Sequence, residues 1–457
     1  MMTVQAPQLN AYVVETRPRF EDLLGQMVEI PSISMDPAKA GDIRRMADLA
    51  VQILIDQGAA AQIVETGGYP IVSGGWMTGA KHPTVTIYNH LDVQPAQEPE
   101  WRQEPFVFKN DGGFYHGRGA TDDKGPALAA VLGARYAIEQ GIPINIRFVW
   151  ELEEEIGSPH FAVGVKNQAA IRRPDSVVVS DTIWIAKGRP AMPYGLRGLL
   201  GARLTLRTGS KDAHSGVTGG AARNPLAELM EVAHACVEAK TGKVKIPGFY
   251  NDVVEPSKDE IKSFLKSGFQ VKRFKEAYGF HTLRTHDPAE ITKRIWAAPT
   301  FEIHGLTGGY HGPGLKTIVP GHGELKVSMR LVPNQTPEKA LALFKKYVAK
   351  LNPDVKVERE SMLHPYKGSF DGPYVECVKR SVKAGFGKEP AFIREGGSIG
   401  AVVTMQEAWK VPILFMGLSL PEHGYHAPNE YFDWGQASGG MKAFAHYFAE
   451  LATMGKG

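Results

Sequence analysis

The sequence predicts an α/β protein in which one unit is interrupted by a second α/β set, and three observations predict it. Helix-like periodicity alternates with short β-branched apolar segments over the first 180 or so residues. A strand near the C-terminus resumes that pattern after a long gap. The gap itself holds enough strands and helices to form its own layer. With 457 residues, against roughly 100–200 for an average domain, two compact units are expected.

Helical periodicity runs from about Ala11 to Ile30 and from Asp42 to Gln57. Thr84–Asn89, Ile144–Trp150 and Ser176–Ser180 then read as buried strands of a largely parallel sheet, alternating with helical stretches at Pro126–Glu139 and Pro159–Ala169. Val411–Met416 reads as a further strand of the same kind. The intervening set comprises strands at Gly201–Thr208, Thr300–Leu306, Glu324–Leu331 and Val355–Glu360, with helices at Pro225–Glu238 and Pro337–Lys350. The expected division is 1–199, 200–369 as the insertion, and 370–457. A charged helical stretch from about Lys258 to Trp296 has no evident place in the inserted set.

Composition excludes several classes. Apolar residues at 43% and charged residues at 22% are ordinary globular usage, which argues against disorder or a fibrous repeat. The net charge of +3 comes from 52 basic and 49 acidic residues scattered along the chain, so no nucleic-acid partner is expected. No apolar run approaches the roughly 20 residues of a membrane span, so no membrane partner is expected. The two cysteines, Cys236 and Cys377, and an N-terminus without a signal-like pattern make the cytoplasm the expected compartment.

In open α/β sheets ligands collect beyond the carboxyl ends of the strands. His90-Leu-Asp92 lies there, where an imidazole can bind a metal while the second carboxylate orients it; a surface histidine beside a loop aspartate is the plainer alternative. The loop Gly117-Arg-Gly-Ala-Thr-Asp122-Asp123-Lys124-Gly125 looks like a phosphate loop only superficially. Its adjacent aspartates would repel phosphate, no glycine precedes Lys124, and the dinucleotide fingerprint lacks its third glycine. A cation suits it better, unless one aspartate merely caps the following helix. Glu151-Leu-Glu-Glu-Glu155 crowds like charges at a strand exit, which either a divalent cation or plain solvation accommodates. Asp181 and His426 complete a rim of carboxylates and imidazoles that is hard to explain jointly without metal.

Asp122, Glu155 and Asp181 with one bridging hydroxide would balance two divalent cations, about 3.5–4 Å apart if a carboxylate bridges them. Glu154, next to a ligand yet free itself, could then take a proton. Imidazole and carboxylate donors accept zinc and manganese alike.

With these residues assembled, the chain resembles the co-catalytic metallopeptidase family that includes carnosinase, cytosolic non-specific dipeptidase, bacterial glutamate carboxypeptidase and succinyl-diaminopimelate desuccinylase. The likeness spans most of the chain and is carried by His90-Leu-Asp-Val-Gln-Pro95, Asp122-Asp-Lys-Gly-Pro126, Glu153-Glu-Glu155, Ser180-Asp181, Tyr194-Gly-Leu-Arg-Gly198, Asp212-Ala-His-Ser-Gly216, Met329-Arg-Leu-Val-Pro333, Arg394-Glu-Gly-Gly-Ser398 and the His426 loop. The resemblance implies a zinc-peptidase-like fold with a mostly parallel mixed sheet flanked by helices, plus an inserted α/β lid and dimerisation domain. It implies His90 and Asp181 on one ion, Glu155 and His426 on the other, and Asp122 bridging. Glu154 would be the general base and Asp92 the support of His90. His426 rather than His423 takes the ligand position, because Asn429-Glu430 follows it.

By the same resemblance His214 reaches the active site of a neighbouring subunit in a homodimer. Arg330 would hold a substrate carboxylate, helped by Thr317, Gly397 and Ser398. The implied activity is two-metal hydrolysis, by zinc or manganese, of dipeptides or short peptides with a free C-terminal carboxylate, closest to the dipeptidase branch. A deacetylase or desuccinylase of N-acyl amino acids is the alternative. A serine hydrolase, from Gly396-Gly-Ser398-Ile-Gly400 with Glu422 and His426, is a rival that leaves the acidic rim unexplained.

Overall fold

The computed structural model describes residues 4–455. Its central sheet has six strands in the order Ala60–Val64, Ile71–Trp76, Asn145–Glu151, Thr84–His90, Ser176–Val179 and Ile413–Phe415. The first two are an antiparallel pair, the second runs antiparallel to Asn145–Glu151, and the remaining neighbours are parallel. Alternation along each strand feeds two cores. Val85, Ile87, Phe148 and Trp150 face the helices Ala6–Val28, Ala40–Asp56, Gly125–Glu139 and Trp434–Thr453, whereas Tyr88, Val149 and Val177 face Phe161–Lys166 and Gly400–Trp409. Each such fully buried apolar side chain contributes about 1.5–3 kcal/mol.

The Gly125–Glu139 helix is apolar nearly all round because it lies between the sheet and the C-terminal helix. Gly133 lets those helices touch: a Cβ there would stand 2.6 Å from the Met441 carbonyl oxygen. The helix expected at Pro159–Ala169 is only Phe161–Lys166. Asn167 leaves helical dihedrals, and its carbonyl accepts the Ala170 and Ile171 amides in a turn.

The inserted sheet is antiparallel throughout, in the order Glu302–Thr307, His322–Leu331, Gly198–Arg207 and Lys356–Leu363. The helices Pro225–Cys236 and Pro337–Leu351 cover one face, around Leu204, Val327, Met329 and Phe344. The charged stretch does not join this core. It forms the helices Lys258–Lys266, Val271–Ala277 and Pro288–Ala297, and Phe264 and Trp296 pack with Tyr194 and Ile393 instead. Those two residues sit on a separate small sheet, ordered Tyr366–Lys367, Ala191–Leu196, Ala391–Glu395, which joins the two larger ones. Ser257 and Glu260 close a capping box at the start of the stretch. The Glu260 carboxylate also takes bonds from the Arg394 guanidinium and the Tyr194 hydroxyl.

Cys236 and Cys377 are both buried and unpaired. Among the described residues no helix is long and apolar enough to cross a membrane.

Candidate metal centre and active site

Asp122 stands at the middle of the strand-end cluster. His90, the last residue of its strand, brings Nε2 to 3.0 Å from Asp122 Oδ1 and 3.8 Å from Asp181 Oδ2. On the other side His426 Nε2 lies 3.0 Å from Asp122 Oδ2 and 3.3 Å from Glu155 Oε2. Two triads therefore share one carboxylate: His90, Asp122 and Asp181, and Asp122, Glu155 and His426, each with its donor atoms within 4.8 Å of one another.

The supports of this cluster come from backbone as much as from side chains. His90 Nδ1 lies 3.0 Å from the Asp92 carbonyl oxygen, and the Asp92 carboxylate accepts the amides of Glu154 (3.2 Å) and Glu155 (3.0 Å). Asp92 thus ties the His90 strand end to the acidic loop. Glu430 is the corresponding anchor for Asp122, accepting the amides of Gly119, Thr121 and Asp122 and the Arg118 guanidinium at 2.8–3.1 Å. Gly119 has φ +84°, and a Cβ there would meet Val93 Cγ1 at 2.6 Å, so the loop needs glycine.

Neither Glu430 nor Tyr425 is among the expected site residues. The Tyr425 hydroxyl donates to Asp181 Oδ1, and its ring stacks on His426 at 5.7 Å. The only sequence signal for Glu430 is its place after Asn429; Tyr425 has none beyond adjacency to His426.

The two histidines of the loop differ plainly. His423 is fully buried, its Nδ1 bonded to Thr121 Oγ1 and the Leu420 amide and its Nε2 3.3 Å from Asp433. His426 is half-exposed and held at φ +54°, left-handed backbone that a bulky residue rarely adopts.

Electrostatically the cluster is short of positive charge. Burial works against ionisation of Asp122, but the close imidazoles of His426 and His90 outweigh it and hold its carboxyl below the usual range. Burial raises Asp181 to about 6, with the charges of Asp122 and Glu155 adding to it. His426 is pushed up to about 11: burial opposes its charge, yet the close carboxylates of Asp122 and Glu155 prevail. Glu154 is raised well above the carboxylate range by burial and by the charges of Asp181 and Glu155.

Two buried oxygens, Asp122 Oδ2 and Glu155 Oε1, lack a hydrogen-bond partner, the former lying outside bonding geometry with His426 despite its short distance. Orphaned carboxylate oxygens beside imidazole nitrogens are the donor set of a divalent cation such as zinc or manganese, and the residues fit two such ions.

The cluster opens on a cavity of about 1370 Å³, lined by Asp122, Glu154, Glu155, Asp181 and His426 and, farther in, by Arg330, Gly397 and Ser398. The Arg330 guanidinium donates to Ser398 Oγ at 2.9 Å. Ser398 lies between a strand and a helix, as a nucleophile elbow would, but its hydroxyl donates to the Arg197 carbonyl, and no histidine is hydrogen-bonded to it among the described residues. The serine-hydrolase arrangement is therefore not assembled.

His214 and Thr317 are not in the cavity of their own chain. They sit together on a short ribbon in which Ala213–His214 pairs with Ile318–Val319 and the Ser215 amide bonds to the Thr317 carbonyl. Thr317, expected to help Arg330 with the substrate carboxylate, shares the exposed ribbon with His214, where the strand pairing fixes it.

Comparison with known proteins agrees with this geometry. The profile of Peptidase family M20/M25/M40 matches residues 86–450. The chain is 32% identical to the Cys-Gly metallodipeptidase dug1 of Schizosaccharomyces pombe, over 99% of this chain and all of that protein. It is 30% identical to the human Beta-Ala-His dipeptidase, over 97% of this chain and 92% of that one. Among solved structures, the di-peptidase Dug1p of Saccharomyces cerevisiae superposes with a TM-score of 0.89 at 28% identity, over 98% of this chain and 99% of that one. A fold matched over nearly the whole of both chains, a rim with donors for the two divalent ions that the family employs, and sequence identity over the same length converge: the chain belongs to Peptidase family M20/M25/M40 and is a metal-dependent peptidase.

Proposed function

We propose that the protein is a dipeptidase, hydrolysing the peptide bond of dipeptides or short peptides with a free C-terminal carboxylate. The observation that carries this reading is the pairing of the shared-carboxylate cluster with Arg330 and Ser398 in one cavity. Relatives named as dipeptidases support a peptide rather than an N-acyl amino acid as the substrate.

His90, Asp122 and Asp181 would hold one ion and Asp122, Glu155 and His426 the other. When bound, the ions supply Lewis-acid polarisation of the substrate carbonyl and a lowered pKa for the attacking water. Glu154 takes the proton from that water and returns it to the leaving amine; its buried, anionic surroundings raise its affinity for the proton it must carry. Asp92 keeps His90 oriented from behind, where it is fully buried. Arg330 grips the substrate carboxylate, with Ser398 Oγ and the Gly397 backbone completing the seat.

We assign the catalytic unit to 1–199 and 370–457 and the lid and dimerisation unit to 200–369. In a homodimer the ribbon carries His214 and Thr317 to the partner's cavity, where His214 stabilises the developing oxyanion. Their exposure, away from their own chain's cavity, supports that role. The buried, unpaired cysteines fit a reducing compartment, so we place the enzyme in the cytoplasm.

The test is hydrolysis of a dipeptide panel before and after chelation, with zinc or manganese restored. Loss and metal-dependent recovery are expected. Hydrolysis confined to N-acetyl or N-succinyl amino acids would replace dipeptides as substrates, and chelator-resistant turnover would remove the metal from the mechanism.

A further inference from the structure

The catalytic cluster and the Arg330 seat occupy only part of the cavity. At 1370 Å³ it is several times the size of a small dipeptide, and its remaining wall is mixed, with charged side chains such as Lys187, Arg273 and Glu360 beside one apolar stretch. Ile183 and Ile185 follow Asp181 along the chain and both line the cavity. Side chains of the charged helical stretch, Phe269, Phe274, Tyr278 and Trp296, line it as well.

The aromatic rings form a connected chain, with centroids 5.3 Å apart for Phe269 and Phe274, 5.1 Å for Phe274 and Tyr278, and 5.9 Å for Phe269 and Trp296. Core packing alone does not account for this wall. Trp296 and Phe264 carry the core contact with the small sheet, whereas Tyr278 remains 49% exposed and Phe269 and Phe274 half-buried, presenting ring surface to the cavity. The segment is charged outward, joins the core through Phe264, Trp296 and Ala297 with Ile261, Phe269 and Ile295 packed against it, and leaves Phe274 and Tyr278 to the cavity.

We infer that this apolar chamber receives a bulky apolar or aromatic side chain of the substrate residue on the amino side of the scissile bond. The inference rests on the dipeptidase reading. Its direction follows from two anchors. A substrate carboxylate on Arg330 fixes the carboxyl-side residue near Ser398. A scissile carbonyl at the Asp122 cluster then sends the other residue past Asp181, and the chain beyond Asp181 begins the apolar wall with Ile183.

A pocket that buries an aromatic side chain discriminates against a methyl group by about tenfold or more. The experiment is a comparison of kcat/KM for Ala-Gly, Phe-Gly, Gly-Ala and Gly-Phe, using full-length metal-loaded protein. Phe-Gly is expected to exceed Ala-Gly by about tenfold. Phe274→Ala and Tyr278→Ala, tested separately, should each lower the Phe-Gly to Ala-Gly ratio by at least about threefold while the Gly-Phe to Gly-Ala ratio stays fixed. Ala-Gly hydrolysis without any preference for Phe-Gly would overturn the chamber and leave the dipeptidase reading standing. A fall in the Gly-Phe ratio instead would overturn its placement on the amino side, and no hydrolysis of any of the four would overturn both.

Discussion

The central and inserted sheets use their strands in opposite ways. In the central sheet the inner strands Asn145–Glu151, Thr84–His90 and Ser176–Val179 are buried on both faces and parallel, so their carboxyl ends line up on one rim, where His90, Glu154, Glu155 and Asp181 gather within loops of a few residues. The inserted sheet is antiparallel, with helices over one face and alternating burial along His322–Leu331. It carries Arg330 into the cavity of its own chain but leaves His214 and Thr317 on an exposed ribbon. A rigid, doubly buried sheet suits groups that must keep fixed mutual distances; a half-covered sheet suits groups delivered from outside.

The sharpest way to break that contrast is Glu154→Gln, which should keep metal content at two ions per chain while kcat falls by about 10²–10⁴, because proton transfer goes and ligation stays. Elemental analysis beside steady-state kinetics measures both, and near-normal turnover would remove Glu154 as base. On the inserted side, His214→Ala should cost about 10²–10³ in kcat. Mixing it with Glu154→Gln should recover part of the activity through heterodimers with one intact composite site. If the subunits demonstrably exchange and no activity returns, the ribbon does not act in trans.

Stability sharpens the same comparison. Glu430→Ala leaves Arg118 buried without its partner and three loop amides without an acceptor, so urea unfolding should show a loss of about 3–5 kcal/mol. A change under 1 kcal/mol would mean that Glu430 does not anchor the Asp122 loop.

The smallest effect is expected at the joint between the sheets. Burial alone would raise the Glu260 carboxyl, but the Ser257 amide, Arg394 and Tyr194 together lower it to about 2. A depressed folded-state pKa means that this stabilisation is complete above about pH 4.5 and is lost as pH falls toward 2. The stability difference between the protein and Glu260→Gln should therefore shrink as pH is lowered through that window, and a difference independent of pH would contradict the assignment.

Much of this was legible in the sequence, for physical reasons. Buried parallel strands write themselves as short apolar runs, and the carboxylates crowding after Trp150 stand out because like charges rarely cluster at a buried strand end without a counter-charge. Strand direction in the insertion was not legible, since alternation is the same whichever way a neighbour runs. Nor was the packing of Lys258–Ala297, whose short helices bury only a few residues each and reach a sheet formed by segments about 70 residues before and 100 after. Glu430 escaped for a related reason: it acts through backbone amides some 310 positions away, which have no residue-type signature. The position of Thr317 beside His214 likewise depends on a two-residue pairing too short to announce itself.

Arg197 is the single residue between the strand Ala191–Leu196 of the small sheet and the strand Gly198–Arg207 of the inserted one. Its amide bonds to the Glu395 and Gly397 carbonyls, its guanidinium to those of Gly396, Arg294 and Ala298, and its own carbonyl takes the Ser398 hydroxyl that in turn accepts from Arg330. The Arg330–Ser398 pair and the link between the small and inserted sheets thus meet at one residue. An anion drawn to Arg330 would compete with its bond to Ser398, whose hydroxyl rests on the residue that links the two sheets.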